Sequence, residues 1–355
     1  MIGKTDKGGS LMRDGFIKVA AGTPKIQVAD CEYNAEQIIR LMREAAEQGV
    51  KVLALPELCV TGYTCGDLFL QDTLLRGAED ALSRILEETK DLDMLTALGL
   101  PVWNRWDSKL YNCAAVINRD KILGLVPKIY IPNYGEFYEG RWFASGRGAE
   151  YIITLCGQRT SLDAQNPVIF DCENIPGLTV GVEICEDLWS AEPPSNRLAL
   201  NGAAVILNLS ASNEAAGKAA YRRALVAGQS GRLVCGYVYA DAGEGESTTD
   251  LVFAGHNIIA ENGTVLAENR FGTGLTVSEI DTGRLAHERQ RMNTFGAVEG
   301  SSFSCKFQLE TEDTALTRPI PKNPFVPEDG ADRRERCEEI FTIAALGLKK
   351  RLEHT

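Results

Sequence analysis

Short apolar runs rich in β-branched residues alternate along this chain with segments of helical period, and that alternation restricts it to an α/β architecture. Phe16 to Gln27 is β-like. Tyr33 to Gln48 places Ala35, Ile38, Ile39, Met42, Ala45 and Ala46 on one helix face, and Gly49 closes it. Val50 to Leu55 is a short buried strand, completing a βαβ unit. A helix is predicted over Gly77 to Lys90 and a strand over Met94 to Trp103. Tyr111 to Asn118 and Lys121 to Val126 form a hairpin about Arg119-Asp120. Tyr151 to Asp171 is less regular. Strands follow at Leu178 to Ile184, Ala203 to Asn208 and Leu233 to Asp241, with helices at Ser195 to Asn201 and Lys218 to Arg232 between them. Gly255 to Ile280 holds two or three strands broken by an Asn262-Gly263 turn. This order predicts two mixed sheets with helices outside them.

Composition excludes more than it selects. The 355 residues carry a formal net charge of -12, with 37 basic against 49 acidic side chains, which argues against nucleic acid or an anionic membrane as partner. The ten cysteines are scattered singly and none forms a CxxC pair, the pattern of reduced thiols in a cytoplasmic core. The histidines His256, His287 and His354 lack metal-site spacing, so no metal centre is expected, and His256 reads as structural. No apolar run is long enough to span a membrane. Residues 1–14 read as a polar, disordered leader and 15–308 as the main domain. Residues 309–332, with Pro319, Pro321, Pro324 and Pro327, read as a linker or arm. Residues 333–355 read as a helix with an apolar stripe at Cys337, Ile340, Phe341, Ala344 and Leu348.

Three strand ends carry residues a strand end does not need. Val180 to Ile184 stops at Cys185 and then turns acidic through Glu186-Asp187. Glu57 follows Leu55-Pro56 and precedes Leu58-Cys59-Val60, core residue types that make a solvated turn an expensive place for it unless it is paired. Lys128 lies between Pro127 and an aromatic run. Taken singly, each has a bland reading: a packed thiol, a turn glutamate, a surface lysine. Taken together they offer a nucleophile, a base and a cation. With no histidine near Cys185 in sequence, a carboxylate is the readier base.

Four segments then carry a resemblance: PELCVTGYTCGDLF at Pro56 to Phe69, PKIYIPNYGEFYEGRWF at Pro127 to Phe143, GVEICEDLW at Gly181 to Trp189, and NLSASNEAAGKAAYRR at Asn208 to Arg223. In this order they resemble the nitrilase (carbon–nitrogen hydrolase) superfamily, and within it the glutaminase domains of glutamine-dependent NAD synthetases. The resemblance implies a four-layer α-β-β-α sandwich and a triad of Glu57 as general base, Lys128 as cationic stabiliser and Cys185 as nucleophile. It implies that Glu136 orients lysine and substrate. It implies a glutamine site formed by Tyr134, Phe137, Glu186, Ser212 and Lys218, with Glu186 facing the amino group and Lys218 the carboxylate. The chemistry agrees: a free thiol titrates near ~8.5 and needs help to ionise at neutral pH. Lys128 and the Glu186 N–H could share an oxyanion.

The implied reaction is glutamine to glutamate and ammonia through a thioester, with no cofactor. ATP, Mg2+ and nicotinic acid adenine dinucleotide belong to a synthetase (ATP-pyrophosphatase) domain whose SGG-x-DS phosphate loop does not occur in this sequence. The chain is therefore expected to act as the glutaminase half, in a homo-oligomer and together with that partner domain, and not to make NAD alone. The competing readings are a free-standing ω-amidase or nitrilase, and a non-catalytic assembly subunit.

Overall fold

The computed structural model describes residues 15–296, 302–327 and 329–354. The expected leader lies outside them. Two compact units divide between Leu316 and Thr317.

In the first unit, β1 (Phe16–Thr23) is followed by α1 (Cys31–Glu47), β2 (Val52–Ala54), α2 (Asp72–Thr89) and β3 (Leu95–Asn104). Asp30 caps α1 by accepting from the Tyr33 N–H at 3.0 Å, and Gly49 leaves it with a positive φ of 75°. The chain then runs antiparallel through β4 (Lys109–Asn118) and β5 (Lys121–Pro127), and turns back through a hairpin of β6 (Glu150–Leu155) and β7 (Gln158–Asp163).

The second sheet takes β8 (Val168–Cys172), β9 (Thr179–Ile184), β10 (Val205–Ser210), β11 (Gly236–Asp241), β12 (Asn257–Glu261) and β13 (Thr264–Asn269). Between them lie α3 (Glu186–Trp189), α4 (Pro194–Leu200) and α5 (Lys218–Leu233). The next strand, β14 (Gly274–Asp281), returns to pair with β1, and after α6 (Thr282–Arg291) the strand β15 (Phe303–Phe307) pairs with β8. Among the described residues the sheets read β14-β1-β2-β3-β4-β5-β7-β6 and β13-β12-β11-β10-β9-β8-β15.

Three apolar layers hold these four slabs together. Ile17, Val19, Val52 and Leu95 of the first sheet pack against Val180, Val182, Val205 and Leu207 of the second. Ile38, Met42, Leu82 and Ile85 of α1 and α2 cover the outer face of the first sheet. Leu198, Val226 and Leu233 of α4 and α5 cover the second. The result is the expected α-β-β-α sandwich. β1, β2 and β3 are mutually parallel, as are β9, β10 and β11. Parallel strands collect their carboxyl ends on one side, where α/β sheets place chemistry.

Some expectations shift. The stretch Tyr151 to Asp171, expected to be less regular, holds nearly all of three strands, β6, β7 and β8, the first two forming a hairpin. Its turn, Cys156-Gly157, has φ of 50° and 71°, the two positive values of a type I′ hairpin. Cysteine is an unusual residue for that conformation, which hid the signal. The Asn262-Gly263 turn adopts the same geometry, at 44° and 86°, with the usual residues. β15 and α6 were not foreseen, because their short segments show no clear period.

The second unit contains α7 (Gly330–His354), in which Glu353 pairs with Lys349 and Lys350. No helix is long and apolar enough to cross a membrane, among the described residues.

Gly99 on β3 shows how closely the site-bearing turn is packed. A Cβ there would lie 2.2 Å from Leu58 N, 2.6 Å from Pro56 O and 2.7 Å from Glu57 C. These are backbone atoms and cannot swing aside. G99A is expected to lower the thermal unfolding midpoint by about 5 °C or more, an overpacking cost of ~3 kcal/mol. An unchanged melting curve would contradict this packing.

Candidate active site

Glu57 sits just beyond β2, in a turn that Leu58 makes with φ 53°. It is 1% exposed. Its Oε1 accepts from Asn112 Nδ2 and from Lys128 Nζ, both at 2.6 Å. Its Oε2 accepts from the Ala211 N–H at 3.0 Å, just past β10. Two donors therefore occupy one oxygen, leaving the other with a single backbone donor.

Lys128 leaves the end of β5 with its N–H bonded to Asn112 O at 2.8 Å. It has no exposed surface. Its ammonium touches Glu57 Oε1 and Glu139 Oε1, each at 2.6 Å. Burial favours the neutral amine, but the two carboxylates win and hold its pKa well above the ordinary lysine range. Glu139 opens a single 3-10 turn and also accepts from Tyr63 OH at 2.8 Å. Burial is the first cause lifting its carboxyl to about 7, with Lys128 pulling down and Glu57 pushing up.

Cys185 terminates β9 with φ 44° and ψ −100°, a conformation that costs a non-glycine residue free energy. Its N–H bonds Leu209 O at 3.0 Å. The thiol is driven well up by burial and by the Glu57 carboxylate, and drawn down by the Lys128 ammonium and the Ala211 backbone. The sulfur thus lies within electrostatic reach of Glu57, Lys128 and Glu139 together. The three strand ends singled out in the sequence converge.

The remaining predicted residues gather beside this centre. Tyr134 OH donates to Glu186 Oε1 at 2.7 Å, and its ring meets the Phe137 ring edge-on, 6.1 Å between centroids. Lys218 Nζ bonds Asn213 Oδ1 and lies 5.2 Å from the Trp189 ring and 5.9 Å from that of Phe137. Ser212 is buried, with its N–H on Asp241 Oδ1 at 2.8 Å and its Oγ accepting from Arg222 at 3.1 Å. Arg222 is itself fully buried, and also bonds Asn213 O, Glu214 Oε2 and His256 Nδ1. It braces the turn that carries Ala211 and Ser212, and His256 has the structural place expected for it.

Glu136 is the correction. It was expected to orient the lysine, but its Oε1 accepts from Asn213 Nδ2 at 2.6 Å, and the second carboxylate on Lys128 belongs to Glu139. Gly135, with φ 56°, turns the chain so that Glu136 stays partly exposed. The Glu139 N–H bonds back to Pro132 O at 3.2 Å, which draws the later glutamate inward. Asn112, Tyr63, Asp187 and Arg222 were also missed. Asn112 had a signal, as an amide inside the apolar run Leu110 to Ile117 that needs a buried partner. A surface hollow of about 860 Å3, between Phe69, Trp103 and Trp142, contains none of the converging groups.

Comparison with known proteins gives the family. The carbon–nitrogen hydrolase family matches residues 18–290. The glutamine-dependent NAD(+) synthetase of Mycobacterium tuberculosis is 39% identical over 97% of this chain and 52% of its own length. The chain therefore spans about half the length of the curated relatives it matches. The crystal structure of a glutamine-dependent NAD(+) synthetase from Cytophaga hutchinsonii has a TM-score of 0.65 at 29% identity, over 74% of this chain and 42% of that one. An amidase from Nesterenkonia sp. shares the fold, with a TM-score of 0.58 at 19% identity over 80% of this chain and 99% of that one.

The raised Glu139 carboxyl has a signed consequence. Between its ordinary 4.5 and about 7 the folded chain holds a proton there that the unfolded chain has released. Its contribution to stability is present below the lower value and is lost as pH rises through the upper one. Relative to E139Q, the wild type is expected to lose unfolding free energy between about pH 5 and about pH 7.5 in urea titrations. Parallel curves for the two proteins across that window would contradict the assignment.

Proposed function

This chain belongs to the carbon–nitrogen hydrolase family, and on that premise we propose that it is a glutaminase, hydrolysing glutamine to glutamate and ammonia. The observation that carries the reading is the buried thiol of Cys185 within electrostatic reach of the buried Glu57 carboxylate and the Lys128 ammonium, which are themselves bonded at 2.6 Å. The relatives named as glutamine-dependent NAD synthetases support glutamine as the amide.

In the proposed reaction Glu57 takes the thiol proton and the sulfur attacks the side-chain carbonyl carbon of glutamine. The carbonyl π pair moves onto oxygen, where the Lys128 ammonium and the Glu186 N–H stabilise it. Collapse of the intermediate breaks the carbon–nitrogen bond, and Glu57 returns the proton to the departing nitrogen, so ammonia leaves. Water then gives a proton to Glu57 and attacks the thioester; the carbon–sulfur bond breaks, glutamate departs and the thiol regains its proton. Glu139 holds the lysine, the role first expected of Glu136. Glu186 and Tyr134 suit the α-ammonium of the substrate, and Lys218 suits its carboxylate, with Phe137 and Ser212 completing the walls.

The same reading extends to the whole relatives: ammonia passes to an ATP-dependent synthetase module that amidates nicotinic acid adenine dinucleotide, in a cytoplasmic homo-oligomer. Residues 309–332 would serve as the connecting arm and 333–355 as the helix leading to that module.

C185A is expected to abolish ammonia release from glutamine, and E57Q to lower turnover by about 10^2-fold or more. Glutamine should protect Cys185 from alkylation. Full activity in C185A would discard the mechanism. Preference for keto-acid amides lacking the α-amino group would move the assignment to an ω-amidase.

A further inference from the structure

Asp187 lies two residues past Cys185, and backbone N–H groups donate to both of its carboxylate oxygens. Its side chain is buried, at 2% exposure. Oδ1 accepts from the N–H groups of Ile129 at 3.1 Å and Tyr130 at 2.9 Å. Oδ2 accepts from the N–H of Ile184 at 3.0 Å. Ile129 immediately follows Lys128, and Ile184 immediately precedes Cys185. β5 and β9, which deliver these two residues, lie in different sheets and share no ladder. One carboxylate therefore grips the chain beside the ammonium with one oxygen and the chain beside the thiol with the other.

We propose that Asp187 is a positioning residue that sets the distance between the Lys128 ammonium and the Cys185 sulfur. The geometry of Cys185 makes such a tie necessary. Its φ of 44° is unfavourable and must be held by its surroundings. On the thiol side, Ile184 is pinned by Asp187, and the Leu188 N–H closes onto Cys185 O at 3.0 Å. On the lysine side, two consecutive N–H groups point at one oxygen, which fixes the direction in which the strand exit turns. Burial pushes this carboxyl up to about 8, while the N–H groups of Tyr130 and Ile184 draw it down; with backbone donors on both of its oxygens it is satisfied as the ion, and with one oxygen replaced by an amide it is not. Asparagine can keep its oxygen on one side only, and its NH2 then faces the N–H of the other side, donor against donor. D187N should thus release one of the two loops while preserving size and shape.

The inference rests on the glutaminase reading only for its choice of substrate. Turnover of glutamine is measured per titrated Cys185, counted by iodoacetamide labelling and peptide mass, alongside the labelling rate itself. D187N is expected to lose about 10-fold to 10^2-fold in kcat per labelled site with KM changed less than about 3-fold, and to label more slowly by a similar factor. A merely structural role would lower the number of labelled sites and leave kcat per site unchanged, which would overturn the proposal. If the wild type releases no ammonia from glutamine while the labelling rate still falls in D187N, the glutaminase reading fails and the clamp stands. Should D187N not fold, hydrogen exchange in the wild type decides. The amides of Ile129, Tyr130 and Ile184 are expected to exchange slowly and together; fast exchange of the first two with slow exchange of the third would overturn the clamp.

Discussion

A lysine ammonium with no exposure to solvent, held between two glutamates, is the interaction on which this structure depends. Removing Lys128 from water costs several kcal/mol, and only close, well-aligned partners offset it. Glu57 and Glu139 both approach to 2.6 Å. Two carboxylates against one ammonium leave the cluster with an excess of negative charge, which falls on the group that ionises least readily: burial lifts Glu139 to about 7. Burial first, and then the Glu57 carboxylate, oppose formation of a thiolate at Cys185 in the resting chain. In the proposed mechanism the thiol loses its proton only as the substrate carbon is attacked.

The fold pays for this cluster by bringing four strand ends to one place. β2 delivers Glu57, β5 delivers Lys128, β9 delivers Cys185, and β10 delivers the Ala211 N–H to Glu57. Two of these strands belong to each sheet, so the cluster lies where the sheets face one another. Errors in sheet spacing would separate the Glu57 carboxylate from the Cys185 thiol. Tight backbone contacts such as that over Gly99 and buried polar braces such as Arg222 and Asp187 keep the spacing. Arg222 is as completely buried as Lys128, and likewise has a carboxylate, Glu214, at hydrogen-bond distance.

Much of this was legible before any coordinates, and the reasons differ from residue to residue. Strands such as Thr179–Ile184 announce themselves because burial on both faces demands continuous apolar sequence. Glu57, Lys128 and Cys185 stand out because each is a polar group placed where such a run ends. The β6–β7 hairpin did not stand out, since its turn relies on a cysteine with positive φ. Glu136 and Glu139 are three residues apart in one motif, and local pattern offers no way to choose between them. The choice belongs to Gly135 and to the Pro132 carbonyl, which turn one glutamate toward Asn213 and the other toward Lys128.

The amino-acid order by itself settled the class of fold, the positions of most strands and helices, and the three residue types able to form and stabilise a thioester. These are properties of short segments: hydrophobic period, turn chemistry and the cost of burying a charge. The tertiary structure alone decided which carboxylate joins Glu57 on Lys128, that the Ala211 N–H holds the second oxygen of Glu57, and that Asp187 bonds the backbone of two loops. The bonds from Lys128 and Ala211 to Glu57 join residues 71 and 154 positions apart, and the choice of Glu139, only 11 positions from Lys128, depends on how the Gly135 turn folds back; no local pattern encodes either.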